Sequence, residues 1–111
     1  MNQDLVYRID LDYTLQEEEM ARYAKALGHP LRIRIMKPMA DRACCYNGDL
    51  TEEPPMAQST ISQHLKALKE AGLIQGAIEA PKIKYCISTE NWKHVQTLFK
   101  DLLKQSTNPD P

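Results

Sequence analysis

Met56-Ala57-Gln58-Ser59-Thr60-Ile61-Ser62-Gln63-His64-Leu65-Lys66-Ala67-Leu68-Lys69-Glu70-Ala71-Gly72-Leu73-Ile74 is the stretch on which the fold turns. Ile61, Leu65 and Leu68 recur at i, i+4 and i+7, which sets them on one side of an α-helix and marks that side for a core. The opposite face carries Ser59, Ser62, Gln63, Lys66 and Lys69, hydrogen-bond donors with no carboxylate until Glu70. Phosphate oxygens and base edges call for such donors. Ser59 or Thr60 is placed to cap the orphan amides at the start, and Gly72 to take the left-handed conformation at the end, so the helix is expected from about 58 to 71. A polar face also suits an ordinary solvated helix, and this segment alone leaves the two readings open.

Gln58 to Ile74 resembles the recognition-helix signature of the arsenic-repressor (ArsR) family of bacterial winged helix-turn-helix regulators. Upstream, Leu27-Gly28-His29-Pro30-Leu31-Arg32-Ile33-Arg34-Ile35-Met36 is similar to the family's other recurring block, a small residue and a Pro ahead of an Arg-containing helix. The blocks stand in the family's order, and the resemblance covers about residues 15 to 104. It implies a mainly α fold with a β-hairpin wing, a winged helix-turn-helix of pattern α-α-α-α-β-β-α that dimerises through its first and last helices. It also implies a sequence-specific DNA-binding transcriptional regulator: a homodimer on double-stranded operator DNA, acting as a repressor that a small effector releases, and not an enzyme.

The totals fit that scale. A chain of 111 residues with 42% hydrophobic and 6% aromatic residues suits one domain with a small core, which a dimer interface would help to cover. We divide it into an N-terminal arm (1–14), a DNA-binding domain (15–105) and a disordered tail (106–111). The net charge of -1 excludes a whole-molecule positive field, so affinity for DNA has to come from local patches and should be salt-sensitive. The first twenty residues are acidic, with Asp4, Asp10, Asp12 and Glu17 to Glu19 against Arg8, and a basic run from Arg22 to Arg42 follows. No apolar run reaches membrane-spanning length and no signal segment opens the chain, so a cytoplasmic protein without membrane contact is expected.

Leu5, Tyr7, Ile9, Leu11 and Tyr13 alternate with polar residues as in a strand, whereas Met20, Tyr23, Ala24 and Leu27 have helical spacing behind a capping Thr14. Pro30 suits a first helical turn, and Pro38 is expected to stop or kink the helix that follows. Asp41 to Gly48 reads as a loop or a frayed helix end, and Asp49 as the cap of a short helix through Glu53 that Pro54-Pro55 ends. After Gly72, residues 73–79 and 82–87 read as two strands around an Ala80-Pro81 turn. Ser88 or Thr89 caps a last helix with Trp92, Val95, Leu98, Phe99, Leu102 and Leu103 in one apolar stripe.

In a helix-turn-helix the second helix enters the major groove, which assigns Gln58, Ser59, Thr60, Ser62 and Gln63 to the base edges and Lys66, Lys69, Lys82 and Lys84 to phosphates. Lys82 and Lys84 equally suit an edge hairpin kept soluble by lysines, and Glu79-Ala80-Pro81 replaces the Gly and Arg that family members often carry at the wing tip. His64 has two readings, touching phosphate or packing beside the core.

Three cysteines, two of them adjacent, do not make a disulfide framework, so reduced thiols are expected. Family repressors that sense arsenic or soft metals often have Cys-x-Cys just before an Asp-Leu pair. Asp49-Leu50 matches that pair, but Cys44-Cys45 is shifted upstream and Cys86 lies on the wing, away from them. Cys44 and Cys45 are therefore candidate ligands for a thiophilic metal or metalloid, with redox sensing and simple packing as alternatives. His29 and His94 read as surface or capping residues, since the last helix lacks the His and carboxylate set of the family's zinc sites. No nucleophile–base set or Gly-rich phosphate loop marks an enzyme. A thiol-based redox or metal-binding protein, or a winged-helix protein-interaction module, are the contrasting functions.

Overall fold

The computed structural model describes residues 11–42, 45–79 and 81–104. Helix α1 (Leu15–Leu27) opens on a capping box: Thr14 Oγ1 accepts from the Glu17 N–H at 3.1 Å, and the Glu17 carboxylate accepts from the Thr14 N–H at 2.8 Å. Two orphan amides are thereby satisfied, and Glu17 and Glu18 lie at the positive end of the helix dipole. Helix α2 (Pro30–Arg42) starts where His29 Nδ1 accepts from the Leu31 N–H at 3.0 Å, the capping role expected of that histidine. Of the stop or kink expected at Pro38, the stop does not occur: the helix runs through it to Arg42. A proline there removes one helical bond, and burial of Met36 and Met39 on either side of it offsets the loss.

Of the stretch expected to be a loop or a frayed helix end, Asp41 and Arg42 close α2, whereas Cys45 to Gly48 is neither. After α2, residues Cys45–Asp49 form strand β1, paired antiparallel with the second wing strand from Cys45 opposite Cys86 to Asp49 opposite Lys82. The short helix expected after Asp49 is a single 3-10 turn, Leu50–Glu52. Asp49 does cap it, accepting from the Thr51 N–H at 2.9 Å and its hydroxyl at 2.6 Å. Helix α3 (Pro55–Glu70) follows, then β2 (Ile74–Glu79), β3 (Lys82–Ile87) and α4 (Thr89–Leu102). Ser88 caps α4 through its Oγ, as its hydroxyl predicts.

The sheet order is β1-β3-β2, so β3 is central, and its alternation fits that place. Ile83, Tyr85 and Ile87 are buried against the helices, while Lys82 and Lys84 face outward. One core joins Tyr23 and Ala26 of α1, Met36 and Met39 of α2, Leu65 and Leu68 of α3, the inward residues of the sheet, and Val95 and Leu98 of α4. The result is a mostly helical winged helix-turn-helix with four helices and a three-stranded antiparallel sheet. The alternation at Leu5, Tyr7 and Ile9 and the tail at 106–111 lie outside the described residues.

Candidate nucleic-acid interface

Helix α3 begins three residues earlier than its polar face suggests, and neither Ser59 nor Thr60 caps it. Pro55 at the first helical position, with Pro54 ahead of it, supplies the fixed φ that a side-chain cap would otherwise favour. At the other end the N–H of Leu73 reaches the Leu68 carbonyl at 3.0 Å and that of Gly72 the Lys69 carbonyl at 2.9 Å. This is a Schellman motif, and it requires the positive φ of 89° that Gly72 adopts. Asn91 Nδ2 then donates to the Gly72 carbonyl at 2.8 Å, tying the turn to α4.

Leu65 and Leu68 are fully buried, which fixes the rotation of α3 and turns Ser59, Thr60, Gln63, Lys66 and Lys69 outward. These outward groups and the half-buried Gln58 and Ser62 beside them differ in what they already hold. Thr60 and Ser62 donate to the carbonyls of Met56 and Gln58, and Gln58 Nε2 donates to the Glu53 carbonyl at 2.8 Å. Lys69 Nζ donates to the Gly76 carbonyl, a contact that joins the helix to β2. Ser59 and Gln63 make no side-chain hydrogen bond, and Lys66 no ion pair, among the described residues. Between helix and wing lies a groove of about 590 Å³ lined by Ser62, Gln63, Lys66, Lys69, Ile78 and Tyr85, with Glu70 as its one carboxylate.

Lys82 and Lys84 do not line that groove. Strand alternation sets them on the sheet face opposite Ile83 and Tyr85, in a second groove with Asn47, Asp49 and Gln75. Lys82 Nζ is 3.3 Å from Asp49 Oδ2, and the carboxyl of Asp49 is held below its usual range by its hydrogen bonds from Thr51, with Lys82 adding to the effect. Lys84 carries no ion pair among the described residues.

His64 is half-buried on the inner side of the helix. Its Nδ1 accepts from Arg32 Nε at 2.9 Å, and its ring lies 4.3 Å from that of His29. Arg32 also donates to the carbonyl of Ala26 at 3.2 Å, so one guanidinium links α1, α2 and α3. Burial lowers the pKa of His64, and the neighbouring His29 and Arg32 lower it further. The neutral ring is thus the form that accepts from Arg32. No local period connects Arg32 with His64, 32 residues away, so only the fold reveals this contact.

The cysteines depart most from expectation. Cys45 is bonded to Cys86 as a disulfide, not held as a reduced neighbour of Cys44, and the wing cysteine is not distant from it. Pairing of β1 with β3 brings the two opposite each other, and the polar run Cys45-Tyr46-Asn47-Gly48-Asp49 has no apolar alternation to announce a strand. Cys44 lies outside the described residues. Among the described residues no three His, Cys, Asp or Glu side chains group as metal ligands.

Comparison with known proteins gives two kinds of agreement, with a family model and with individual relatives. Residues 29–75, from the start of α2 to the start of β2, match the family model for bacterial regulatory proteins of the arsR family. The HTH-type transcriptional regulator CmtR of Mycobacterium tuberculosis is 31% identical over 74 residues, 67% of this chain and 62% of that protein, so the chain spans under two thirds of this relative. YgaV, an HTH-type transcriptional regulator of Escherichia coli, is 33% identical over 73 residues, covering 66% of this chain and 74% of its own length. The HTH-type transcriptional regulator MJ1325 of Methanocaldococcus jannaschii is 32% identical over 85 residues, 77% of this chain and 96% of its own.

Proposed function

Since the chain belongs to the ArsR family of bacterial regulatory proteins, which are DNA-binding transcriptional regulators rather than enzymes, we propose that it is a cytoplasmic homodimer. In this reading it binds double-stranded operator DNA and represses transcription until a small effector releases it. The observation that carries the reading is the outward row Ser59, Gln63 and Lys66 on a helix whose other side is anchored by Leu65 and Leu68. Ser59 and Gln63 are free to meet base edges and Lys66 a phosphate, while Gln58, Thr60 and Ser62 would have to exchange an internal bond for an external one. Lys69 at the helix–wing junction, with Lys82 and Lys84 on the outer sheet face, forms the second rank of phosphate contacts. His64 acts indirectly, holding α3 through Arg32.

The dimer is supported by apolar surface at one end of the molecule. Leu15 at the start of α1 and Leu102 and Leu103 at the end of α4 are 73%, 63% and 72% exposed, and α1 packs on α4 through the His94–Glu19 contact at 3.1 Å. A second copy meeting this surface around a two-fold axis would present two α3 helices to one duplex face. No helix among the described residues is long and apolar enough to cross a membrane. The test is a gel shift with genomic fragments flanking the gene, in excess random DNA: a fragment retained against competitor supports the reading, and equal competition by any DNA refutes sequence-specific binding.

A further inference from the structure

Cys45 and Cys86 are directly opposed on β1 and β3, and their sulfurs are bonded. The bridge is set apart from the core. Cys45 is exposed at the first position of an edge strand and Cys86 is only half-buried, so small oxidants and reductants reach the pair. Besides the bridge, β1 is held to β3 by the backbone pairs of a five-residue strand and by the Lys82–Asp49 ion pair, whose lysine side chain is 73% exposed, and at its far end by the Leu50 N–H donating to the Pro81 carbonyl at 2.9 Å. What the bridge encloses is the reading head. Its ends are 41 residues apart, and between them lie the 3-10 turn, α3, β2 and most of β3.

We propose that Cys45 and Cys86 form a reversible two-electron redox switch that sets DNA affinity, closed by a hydroperoxide and opened by a low-molecular-weight thiol. One thiolate attacks the peroxide O–O bond, giving a sulfenic acid and releasing water from hydrogen peroxide. The second thiol then displaces the hydroxyl as water while the S–S bond forms. Two thiols and one peroxide become one disulfide and two waters. In the opposite direction two thiols of the reductant take up the electrons and leave as their own disulfide. Closed, the bridge fixes the segment leading into α3 against the central wing strand, so helix and wing are already ordered for a duplex. Open, that ordering must be supplied on binding, and affinity falls.

The output rests on the DNA-binding reading, whereas bridge formation does not, and the experiment separates the two. The full chain is treated with hydrogen peroxide or held reduced with dithiothreitol, then followed by thiol counting, peptide mass mapping and operator binding. The expected results are an intrachain Cys45–Cys86 linkage, reversed by dithiothreitol, and an operator Kd about 5-fold or more tighter in the oxidised protein. The difference should vanish in Cys45→Ser and in Cys86→Ser and persist in Cys44→Ser. Equal or weaker affinity of the oxidised form overturns the switch. So does a bridge through Cys44 or between subunits, or uptake of zinc or cadmium by the reduced pair as the only event that moves affinity. If neither form selects any DNA, the DNA-binding reading fails, and amide exchange of Cys45–Asp49 decides the switch alone. Faster exchange on reduction sustains it, and equal rates in the two forms overturn it.

Discussion

Gln63 and Lys66 stand one turn apart on the outward face of α3, yet the chemistry of their side chains separates their tasks. Gln63 offers a donor and an acceptor, the pair an adenine edge matches, and Lys66 a point charge that any phosphate satisfies. Gln63→Ala should therefore weaken operator binding by about 1–3 kcal/mol and leave random-DNA affinity nearly unchanged. Lys66→Ala should lower both affinities and reduce the slope of log K against log salt by about 0.9. Anisotropy titrations on operator and random duplexes over a salt series check both, and equal losses on the two duplexes for Gln63→Ala would deny it base reading. Periodicity made these two legible as outward donors. It could not show which neighbours are already engaged, since the bonds from Ser62 to Gln58, Lys69 to Gly76 and Lys82 to Asp49 depend on backbone and partner positions.

His64 carries a pH consequence at the same scale. Its pKa is lowered from 6.5 in the folded protein, so the unfolded chain binds the proton more readily. The stability this residue contributes is complete above pH 6.5 and is lost as pH falls below it through the folded value. Urea midpoints on both sides of pH 6.5 should fall toward acid in the wild type and fall less in His64→Asn; identical slopes would separate His64 from the effect. Either reading of His64, phosphate contact or packing, suited the sequence, and Arg32 supplies the internal partner that the sequence could not identify.

Among the elements, those with strong local signals were legible: α1 from Thr14 and its acidic first turn, α4 from its stripe, the wing from the breaks at Gly72 and Ala80-Pro81. The elements that escaped were decided by distant contacts. Pro38 is a local stop signal overridden by the burial of Met36 and Met39, and β1 exists because β3 offers it an edge. The turn after α3 has both kinds of support. Gly72 has a φ of 89°, and a Cβ there would lie 3.1 Å from Asn91 Nδ2, so an L side chain meets backbone strain and a crowded neighbour together. Gly72→Ala should cost about 1–2 kcal/mol in urea denaturation with the helical circular dichroism of the native state retained. An unchanged midpoint would show that the turn relaxes freely.

At the scale of the whole molecule, a net charge of -1 and a single small core leave two requirements that one chain does not meet alone. DNA binding has to rest on a local patch, and the apolar ends of α1 and α4 need cover. The proposed symmetric pair would meet both, doubling the patch and covering the exposed Leu15, Leu102 and Leu103. Leu102→Glu combined with Leu103→Glu should shift sedimentation from dimer to monomer while leaving the fold intact, and operator affinity should drop with it. A dimer that survives both changes would place the interface elsewhere. This symmetry has the most direct test in a hydroxyl-radical footprint on the retained genomic fragment. The account predicts two protected half-sites related by a dyad, with centres ~34 Å apart or a multiple of that, and loss of protection at both in Gln63→Ala. A single asymmetric patch, or protection indifferent to Gln63, would contradict it.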